Sequence, residues 1–270
     1  MDQCYRPDLH VPLPPLLDLH DITVYRGDRP ALRGITLRIE QGEHVCILGP
    51  NGCGKSTLIK TLTRECYPVY DPHSRMTILG KDRWDVAELR SQLGIVSPDM
   101  VTACSTDATA RDVVLSAFFS STRIFPRHHP SPDHLARATA ALARVGLSHL
   151  ADRPVAEMSS GEAKRTLIAR ALVHGPRTLL LDEPSNDLDI GAQHQLRETV
   201  RDLARSGTAL LLVTHHVSEI VPEIERVVLL KDGRVLADGP KPQLLTEETL
   251  HSLFGVPLRL TRHEGYFDLH

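Results

Sequence analysis

Three short runs of apolar residues stand out along the 270-residue chain. They read HVCILG at 44–49, TLLLD at 178–182 and ALLLVTH at 209–215. Continuous apolar runs of this length are typical of strands that are buried on both faces of a parallel sheet. Because helical sequence separates each run from the next, the pattern predicts an α/β fold.

A different pattern flanks these runs on both sides. The segments LLDLHDITVYR and ALRGITLRIEQGE, which begin at Leu16 and Ala31, mix charged and apolar residues. This mixture indicates a half-exposed antiparallel sheet, which we predict as an N-terminal β-subdomain. Further on, Asp232-Gly233 lies between the apolar runs of RVVLLKDGRVLADG. Asp-Gly in that position is a strong hairpin signal.

The same patterns divide the chain into segments. Several prolines predict an irregular leader at 1–15, and the main α/β domain is expected at 16–239. Between the first two buried runs, about 88–173, apolar residues recur at helical spacing in HLARATAALARVGLSHL, which predicts an inserted helical subdomain. Residues 240–270 are expected to form a C-terminal extension, helical at first and ending in a frayed tail.

The first buried run leads directly into a glycine-rich loop, GPNGCGKST, and then into apolar helical sequence. Strand, glycine loop and helix are the context in which this pattern cradles phosphate with backbone N–H groups. Lys55 is expected to reach the β- and γ-phosphates, and Ser56 to offer its hydroxyl to Mg²⁺. The expected phosphate-binding residues are Gly49, Pro50, Asn51, Gly52, Cys53, Gly54, Lys55, Ser56 and Thr57.

Cys53 has two interpretations, which the sequence leaves open. A thiol near a helix start tends to have a lowered pKa and to be reactive. Alternatively, the side chain is a small filler of the loop. Its position in GPNGCGKST fits both.

Polar side chains follow the other two buried runs. Asp182 and Glu183 end the second, where the aspartate can hold Mg²⁺ through water and the glutamate can accept a proton from an attacking water. His215 and His216 end the third. A histidine there can contact the γ-phosphate, although spacing alone does not say which of the two. Tyr25 in ITVYRG is either ordinary sheet surface or an aromatic that stacks on adenine.

Four segments, GPNGCGKST, MSSGEAKRTLIARAL, TLLLDEPSNDLD and LLLVTHH, stand in the order and spacing of the ATP-binding cassette (ABC) ATPases, and the chain resembles that family over about 16–239. The resemblance implies a P-loop NTPase core, a mixed parallel sheet with helices on both faces. It also implies that Tyr25 stacks on adenine and that Ser159 and Gly161 are signature residues. Asp189 is implied to be the aspartate of the D-loop.

The resemblance implies further roles at the ends of the buried runs. Asp182 and Glu183 resemble the Walker B aspartate, a metal ligand with Ser56, and the catalytic glutamate. His215 resembles the switch histidine because it follows Val-Thr directly, and His216 stands where the family usually has an acid.

The chain departs from the family pattern in two places. Its signature reads Met-Ser-Ser-Gly-Glu where Leu-Ser-Gly-Gly-Gln is usual, and Ser159 with Glu162 fits a helix capping box. The Q-loop region, LGIVSPDM, lacks its glutamine, so Ser97 or Asp99 is expected to bind Mg²⁺ or water instead. This departure and VVLSAFFSS give a weaker resemblance to a soluble bacterial subgroup of the ModF and YlmA type.

Composition narrows the choice of partners. Lys and Arg number 31 against 34 Asp and Glu, a formal charge of −3, so no nucleic-acid partner is expected. The five cysteines form no framework spacing, which is typical of reduced thiols in a cytosolic protein. The N-terminal sequence does not resemble a signal peptide, and no apolar run approaches the ~20 residues that span a bilayer. Any membrane role is therefore expected to act through another chain.

The resemblance implies a cytoplasmic ATPase that uses ATP and Mg²⁺. One phosphate loop and one signature per chain imply that a second ABC subunit, in a homodimer, completes each site around two ATP molecules. We expect it to energise a separate membrane permease, which would hold it at the inner face of the membrane. The alternatives are a soluble ATPase with a regulatory or remodelling role, and a nucleotide-binding module that no longer hydrolyses ATP.

Overall fold

The computed structural model of the protein describes residues 13–104 and 107–270. The leader predicted for 1–15 lies largely outside the described residues, and residues 13–15 have no regular secondary structure. The fold is built around a six-stranded sheet whose strand order is β5-β6-β7-β3-β8-β9. Its strands are β3 (Val45–Leu48), β5 (Leu93–Val96), β6 (Thr178–Asp182), β7 (Ala209–Thr214), β8 (Arg226–Lys231) and β9 (Arg234–Pro240).

The three apolar runs of the sequence contain the central strands β3, β6 and β7, and every residue of these strands is buried. They pair in parallel with one another, and β5 and β8 extend the parallel part on either side. Only β9 among the described strands of this sheet is antiparallel, and it pairs with β8. The predicted parallel core is therefore confirmed.

Helices cover both faces of this sheet. They are α1 (Lys55–Leu62), α2 (Val86–Gln92), α3 (Pro98–Cys104), α4 (Ala110–Leu115), α5 (Pro132–Arg144), α6 (Ser160–Leu172), α7 (Ile190–Arg205), α8 (Lys241–Leu244) and α9 (Glu247–Phe254). Alternate residues of one strand enter different cores, because side chains of a strand point to opposite faces. In β6, Leu179 and Leu181 pack in the cluster that contains α4–α7, whereas Leu180 packs in the cluster that contains α1.

A three-stranded antiparallel sheet lies on the α1 side. Its order is β2-β1-β4, with β1 at Leu17–Arg26, β2 at Arg29–Ile39 and β4 at Arg75–Ile78. The apolar residues of β1 and β2 join the same cluster as α1. The predicted N-terminal β-subdomain is thus confirmed. Helices α3–α6 lie within the span 88–173, which also contributes strand β5 to the main sheet.

Two tight turns shape the C-terminal part. Asp232 and Gly233 both have positive φ, 49° and 76°, as the predicted hairpin between β8 and β9 requires. The expectation of a frayed tail is wrong, because β10 (Leu260–His263) and β11 (Tyr266–Leu269) form a second hairpin. Glu264-Gly265 makes its turn with φ of 49° and 85°, and Phe267 is buried in the main core.

Candidate functional site

The phosphate loop, the paired acids and the histidines meet at one edge of the main sheet. β3, β6 and β7 are adjacent and parallel, so their carboxyl ends lie side by side. The loop at 49–54 follows β3, Glu183 follows β6, and His215 follows β7. In open α/β sheets this edge is the usual place for a ligand.

Two glycines hold the phosphate loop close to the rest of the fold. A Cβ on Gly49 would lie 2.2 Å from the carbonyl oxygen of Leu230, so this position accepts no side chain. Gly54 has φ 112° and is the N-cap of α1, and no side chain among the described residues caps that helix start. The partial positive charge of the helix N-terminus therefore faces the loop, and no acidic residue of its own first turn offsets it.

Lys55 joins the loop to the acids. Its side chain is 4% exposed, and Nζ donates to the carbonyl oxygens of Gly49 at 2.9 Å and Pro50 at 3.1 Å. The same nitrogen lies 3.4 Å from Glu183 Oε1. Lys55, the one basic residue of GPNGCGKST, is thus held inside the loop and next to Glu183, which follows β6.

Glu183 lies at the centre of the cluster. Its Oε1 is 3.1 Å from His215 Nδ1, and its Oε2 accepts a hydrogen bond of 2.6 Å from Asn186 Nδ2. Burial alone would raise the pKa of this carboxyl, but the Asn186 donor, Lys55 and His215 together bring the pKa below its usual value. The carboxylate is therefore ionised at neutral pH, which is the form that can accept a proton from water.

Asp182 has the opposite electrostatics, although it is the neighbouring residue. Its side chain is buried, and its Oδ1 has no hydrogen-bond partner within the described part of the chain. Burial, with a smaller contribution from Glu183, raises its pKa to about 7. Ser56 and Asp182 line the same cavity. A buried carboxylate oxygen without a partner and a hydroxyl on the same cavity are a donor set that suits Mg²⁺, a hard cation that prefers oxygen ligands.

That cavity has a volume of about 710 Å³ and extends from Ser56 and Asp182 to helices α2, α3 and α6. Both residues proposed in place of the Q-loop glutamine, Ser97 and Asp99, line it. Asp99 is 77% exposed and pairs with Lys60 at 3.4 Å. Both alternatives therefore line the cavity that contains the predicted metal ligands.

The signature residues form a second helix start. Ser159 Oγ accepts from Glu162 N at 3.3 Å and Ser159 N donates to Glu162 Oε2 at 2.9 Å, so the predicted capping box is present. Gly161 packs so closely on α7 that a Cβ there would be 3.0 Å from Ala192 Cβ. Asp189 caps α7 by accepting from Ala192 N at 2.8 Å. The predicted signature and D-loop residues, Ser159 and Asp189, therefore cap two adjoining helices.

The remaining expected residues lie around the loop. Tyr25 is on β1 with half of its surface exposed, which leaves a ring face open to a ligand. Cys53 is buried, and its burial outweighs the nearby Lys55 and raises the pKa of its thiol. These facts fit the small filler better than a reactive thiol. Asn51, Gly52 and Ser56 are exposed, whereas Thr57 is buried.

Comparison with known proteins identifies the family to which the chain belongs. The family model described as ABC transporter matches residues 32–186, more than half of the chain. The chain belongs to the ABC transporter family. The predicted P-loop NTPase fold, its use of ATP with Mg²⁺ and its ATPase activity are those of this family.

Individual ABC proteins resemble the chain over most of its length. It is 31% identical over 250 residues to "Uncharacterized ABC transporter ATP-binding protein YlmA" of Bacillus subtilis, covering 91% of this chain and 93% of that protein. It is 33% identical to "Hemin import ATP-binding protein HmuV" of Rhodococcus jostii, covering 90% of this chain and 80% of HmuV. A dimeric structure of the ATP-binding cassette MJ0796 with ADP and phosphate superimposes with a TM-score of 0.68 at 26% identity, covering 83% and 98%.

Sequence reasoning missed several polar residues of this ABC site. Asn186, which donates to Glu183, lies in the segment TLLLDEPSNDLD, where the acids dominate the pattern. Lys164 is buried on α6 and donates to the carbonyl oxygen of Asn186. Ser185 donates to Glu219, which is also buried. The available signal for Lys164 was its helical spacing from Gly161, Leu167 and Ile168, which places a lysine on the buried face of α6.

No helix within residues 13–104 and 107–270 of this ABC protein combines the length and the apolar character that crossing a bilayer requires.

Proposed function

We propose that two copies of this ABC ATPase enclose two ATP molecules, that Glu183 activates the water that cleaves each one, and that the resulting cycle drives a separate membrane permease. The observation that carries the catalytic part is the cluster at the sheet edge. There, Glu183 Oε1 lies 3.4 Å from Lys55 Nζ and 3.1 Å from His215 Nδ1.

The side chains divide the reaction between them. Gly49–Thr57 and Lys55 bind the β- and γ-phosphates, and Tyr25 stacks on the adenine. Ser56 and Asp182 hold Mg²⁺, which when bound neutralises charge on the triphosphate. Glu183 accepts the proton of the attacking water, and His215 orients both Glu183 and the γ-phosphate. Positioning and electrostatics provide most of the rate enhancement in this chemistry.

The second copy supplies the other side of each nucleotide. Ser159 and Ser160 are exposed at the start of α6, whereas Lys55 at the start of α1 is buried. We infer that this helix start, with Ser159 and Gly161, binds the γ-phosphate held by the partner and that Asp189 lies at the same interface. The dimeric MJ0796 cassette with bound ADP and phosphate supports this arrangement.

A membrane permease is the proposed recipient of the energy. HmuV is named as a hemin import protein, and the similarity to it supports coupling to an import permease rather than a soluble regulatory or remodelling role. The cassette then lies at the cytoplasmic face of the membrane. The cavity of about 710 Å³ beside Ser97 and Asp99 is the proposed docking site for a permease segment, since it reaches the metal-binding residues.

The Glu183→Gln variant tests the catalytic and dimeric parts together. It keeps the shape of the side chain but cannot accept a proton, so ATP should stay bound and hold two copies together. In size-exclusion chromatography with ATP and Mg²⁺, we expect the variant to elute at twice the 29.9 kDa mass of the chain. Adding Lys55→Ala should return it to the monomer. A monomeric Glu183→Gln variant at saturating ATP would contradict the homodimer.

The transport part needs native membranes. We expect the protein purified from gently solubilised membranes to bring a permease with it, identified by mass spectrometry. Recovery solely as a soluble homodimer would contradict coupling to a permease and leave the ATPase mechanism intact.

A further inference from the structure

A buried lysine connects the signature helix to the catalytic carboxylate. Lys164 on α6 is 9% exposed, and its ammonium donates to the backbone oxygen of Asn186. The side chain of the same asparagine donates to Glu183 Oε2 at 2.6 Å. A continuous chain of contacts thus runs from α6 to Glu183.

The two ends of this series of contacts belong to different nucleotide sites in the proposed dimer. Lys164 follows Gly161 by three residues, so both lie on the same face of α6. Gly161 is at the helix start that we assign to the partner's nucleotide, whereas Glu183 acts on the nucleotide of its own chain. Helix α6 packs on α7 through Gly161, which leaves little room for the two to shift independently.

We propose that Lys164 is a positioning residue for ATP hydrolysis, which holds Glu183 through Asn186 and ties that carboxylate to the helix facing the partner's nucleotide. This inference rests on the proposed function, because it concerns the same reaction.

The loop after β6 needs such a support. Glu183 and Asp187 both have positive φ, 46° and 63°, which is unfavourable for residues with a Cβ. Lys164 fixes the carbonyl of Asn186 between them, and a fixed backbone keeps the Asn186 side chain aimed at Glu183. Asp187 and Glu219 contribute negative charge near the ammonium, which offsets part of the cost of burying it.

Lys164→Met is the first test, because methionine keeps the length of the side chain and removes the donor. With the Asn186 carbonyl free, Glu183 loses its orientation while the phosphate loop stays intact. We expect kcat to fall by about tenfold to a hundredfold, the scale of small misplacements in active sites. KM for ATP should change by less than about twofold, because the variant leaves the contacts that bind ATP in the phosphate loop unchanged. Lys164→Gln, which retains a donor, should recover most of the activity.

Lys241 provides a matched control. It is similarly buried, 7% exposed, and donates to two backbone oxygens, those of Val221 at 3.2 Å and Pro222 at 3.0 Å. Its partners do not include the loop of Glu183. Lys241→Met therefore removes a buried ammonium of the same kind and should lower the melting temperature without lowering kcat at temperatures where the protein is folded.

Asn186→Ala tests whether Lys164 acts through Asn186. If Lys164 acts through Asn186, this variant should lose as much kcat as Lys164→Met, and the double variant should be no worse than either single one. Additive losses, an unchanged kcat in Lys164→Met, or equal losses in Lys164→Met and Lys241→Met would overturn the inference. If Lys164→Met does not fold, Lys164→Gln and Asn186→Ala decide the outcome, because a positioning role predicts nearly full and strongly reduced kcat, respectively.

These results separate the inference from the proposed function. Combined with Glu183→Gln, the Lys164→Met change should leave the ATP-dependent dimer in place. A dimer that forms while Lys164 variants hydrolyse normally overturns only the positioning role. A Glu183→Gln variant that binds no ATP overturns the function itself.

Discussion

Two helix starts in this molecule are assigned to phosphate, and they are built differently. α1 begins at Gly54, and no side chain in the described part of the chain caps it. α6 begins at Ser159, whose hydroxyl and N–H are both engaged by Glu162. The backbone donors of α1 are therefore open to a ligand, whereas α6 satisfies part of its own helix start before any ligand arrives.

The surroundings differ in the same sense. Lys55 and Cys53 beside the first helix start are buried against strands of the same chain, and Gly49 is in contact with Leu230 of β8. Ser159 and Ser160 at the second are exposed. The first proposed phosphate site is therefore assembled by the folding of a single chain, whereas the second, as we propose it, is completed by a second chain.

The largest effect should come from disturbing the first site through its backbone. In Gly49→Ala the new Cβ would lie 2.2 Å from a backbone oxygen and 2.7 Å from Cys53 Sγ, so the loop must move. Because we propose that the loop binds phosphate through its backbone, we expect ATP affinity to fall by about a hundredfold or more, the cost of several lost hydrogen bonds. Titration with a fluorescent ATP analogue measures this.

Gly239→Ala is the control for that change. Gly239 lies in β9 with ordinary contacts, the nearest atom to an added Cβ being 3.9 Å away in Leu244. Its ATP affinity should equal that of the unmodified protein. Unaltered ATP binding by Gly49→Ala would mean that the loop is not the nucleotide site.

The two sites also differ in how far the sequence predicts them. The first could be predicted almost completely, because GPNGCGKST follows a buried strand and local chain order determines which atoms meet. The capping box at the second site, the start of α6, could likewise be predicted from the spacing of Ser159 and Glu162. Lys164, Asn186 and Glu219 were not, because their contacts depend on how α6, the loop after β6 and the segment after β7 pack together.

The prediction of a frayed C-terminal tail was wrong for a related reason. Glu264-Gly265 is a weaker turn signal than Asp232-Gly233, and the strands beside it are only four residues long. Their stability comes from Phe267 in the main core and from Tyr266, whose hydroxyl donates to Glu198 of α7 at 3.3 Å. Such support from distant elements leaves no local pattern to read.

A smaller effect should come from the buried acid at the first site. The pKa of Asp182 is about 7 in the folded protein, well above that of an exposed aspartate. Between these two values the folded state binds more protons than the unfolded state, so stability decreases as pH rises. From pH 6 to pH 8 we expect a loss of about 1 kcal/mol in buffer with a chelator and without nucleotide. Urea unfolding at each pH measures it.

Asp182→Asn identifies the responsible group. The amide does not titrate, so the variant should lack this loss, while other groups contribute equally to both proteins. If the two proteins show the same pH dependence, the buried carboxyl of Asp182 is not the source. No comparable term is expected from Glu162 at the second site, since its pKa is lowered, chiefly by its bond to the N–H of Ser159, and it is ionised throughout this range.

The smallest expected effects, on the stability of α6 and on the affinity of the dimer, come from removing the charge of Glu162 at the start of α6. Its carboxylate lies 2.9 Å from Ser159 N at the helix start that we assign to the partner's γ-phosphate. Glu162→Gln keeps an oxygen that can accept from Ser159 but removes the charge. The loss of an acid from the first turn should cost α6 a few tenths of a kcal/mol in stability.

The dimer should respond in the opposite direction, because one negative charge fewer faces the incoming phosphate. In the Glu183→Gln background we expect Glu162→Gln to tighten the ATP-dependent dimer by about twofold to fivefold at low salt, corresponding to ~0.4–1 kcal/mol, and the gain should shrink as salt screens the charges. Analytical ultracentrifugation at two salt concentrations measures both. A dimer weakened in step with the helix would mean that the start of α6 contributes only its local cap. A lower stability combined with a tighter dimer is the result that only a helix start facing another chain's phosphate produces.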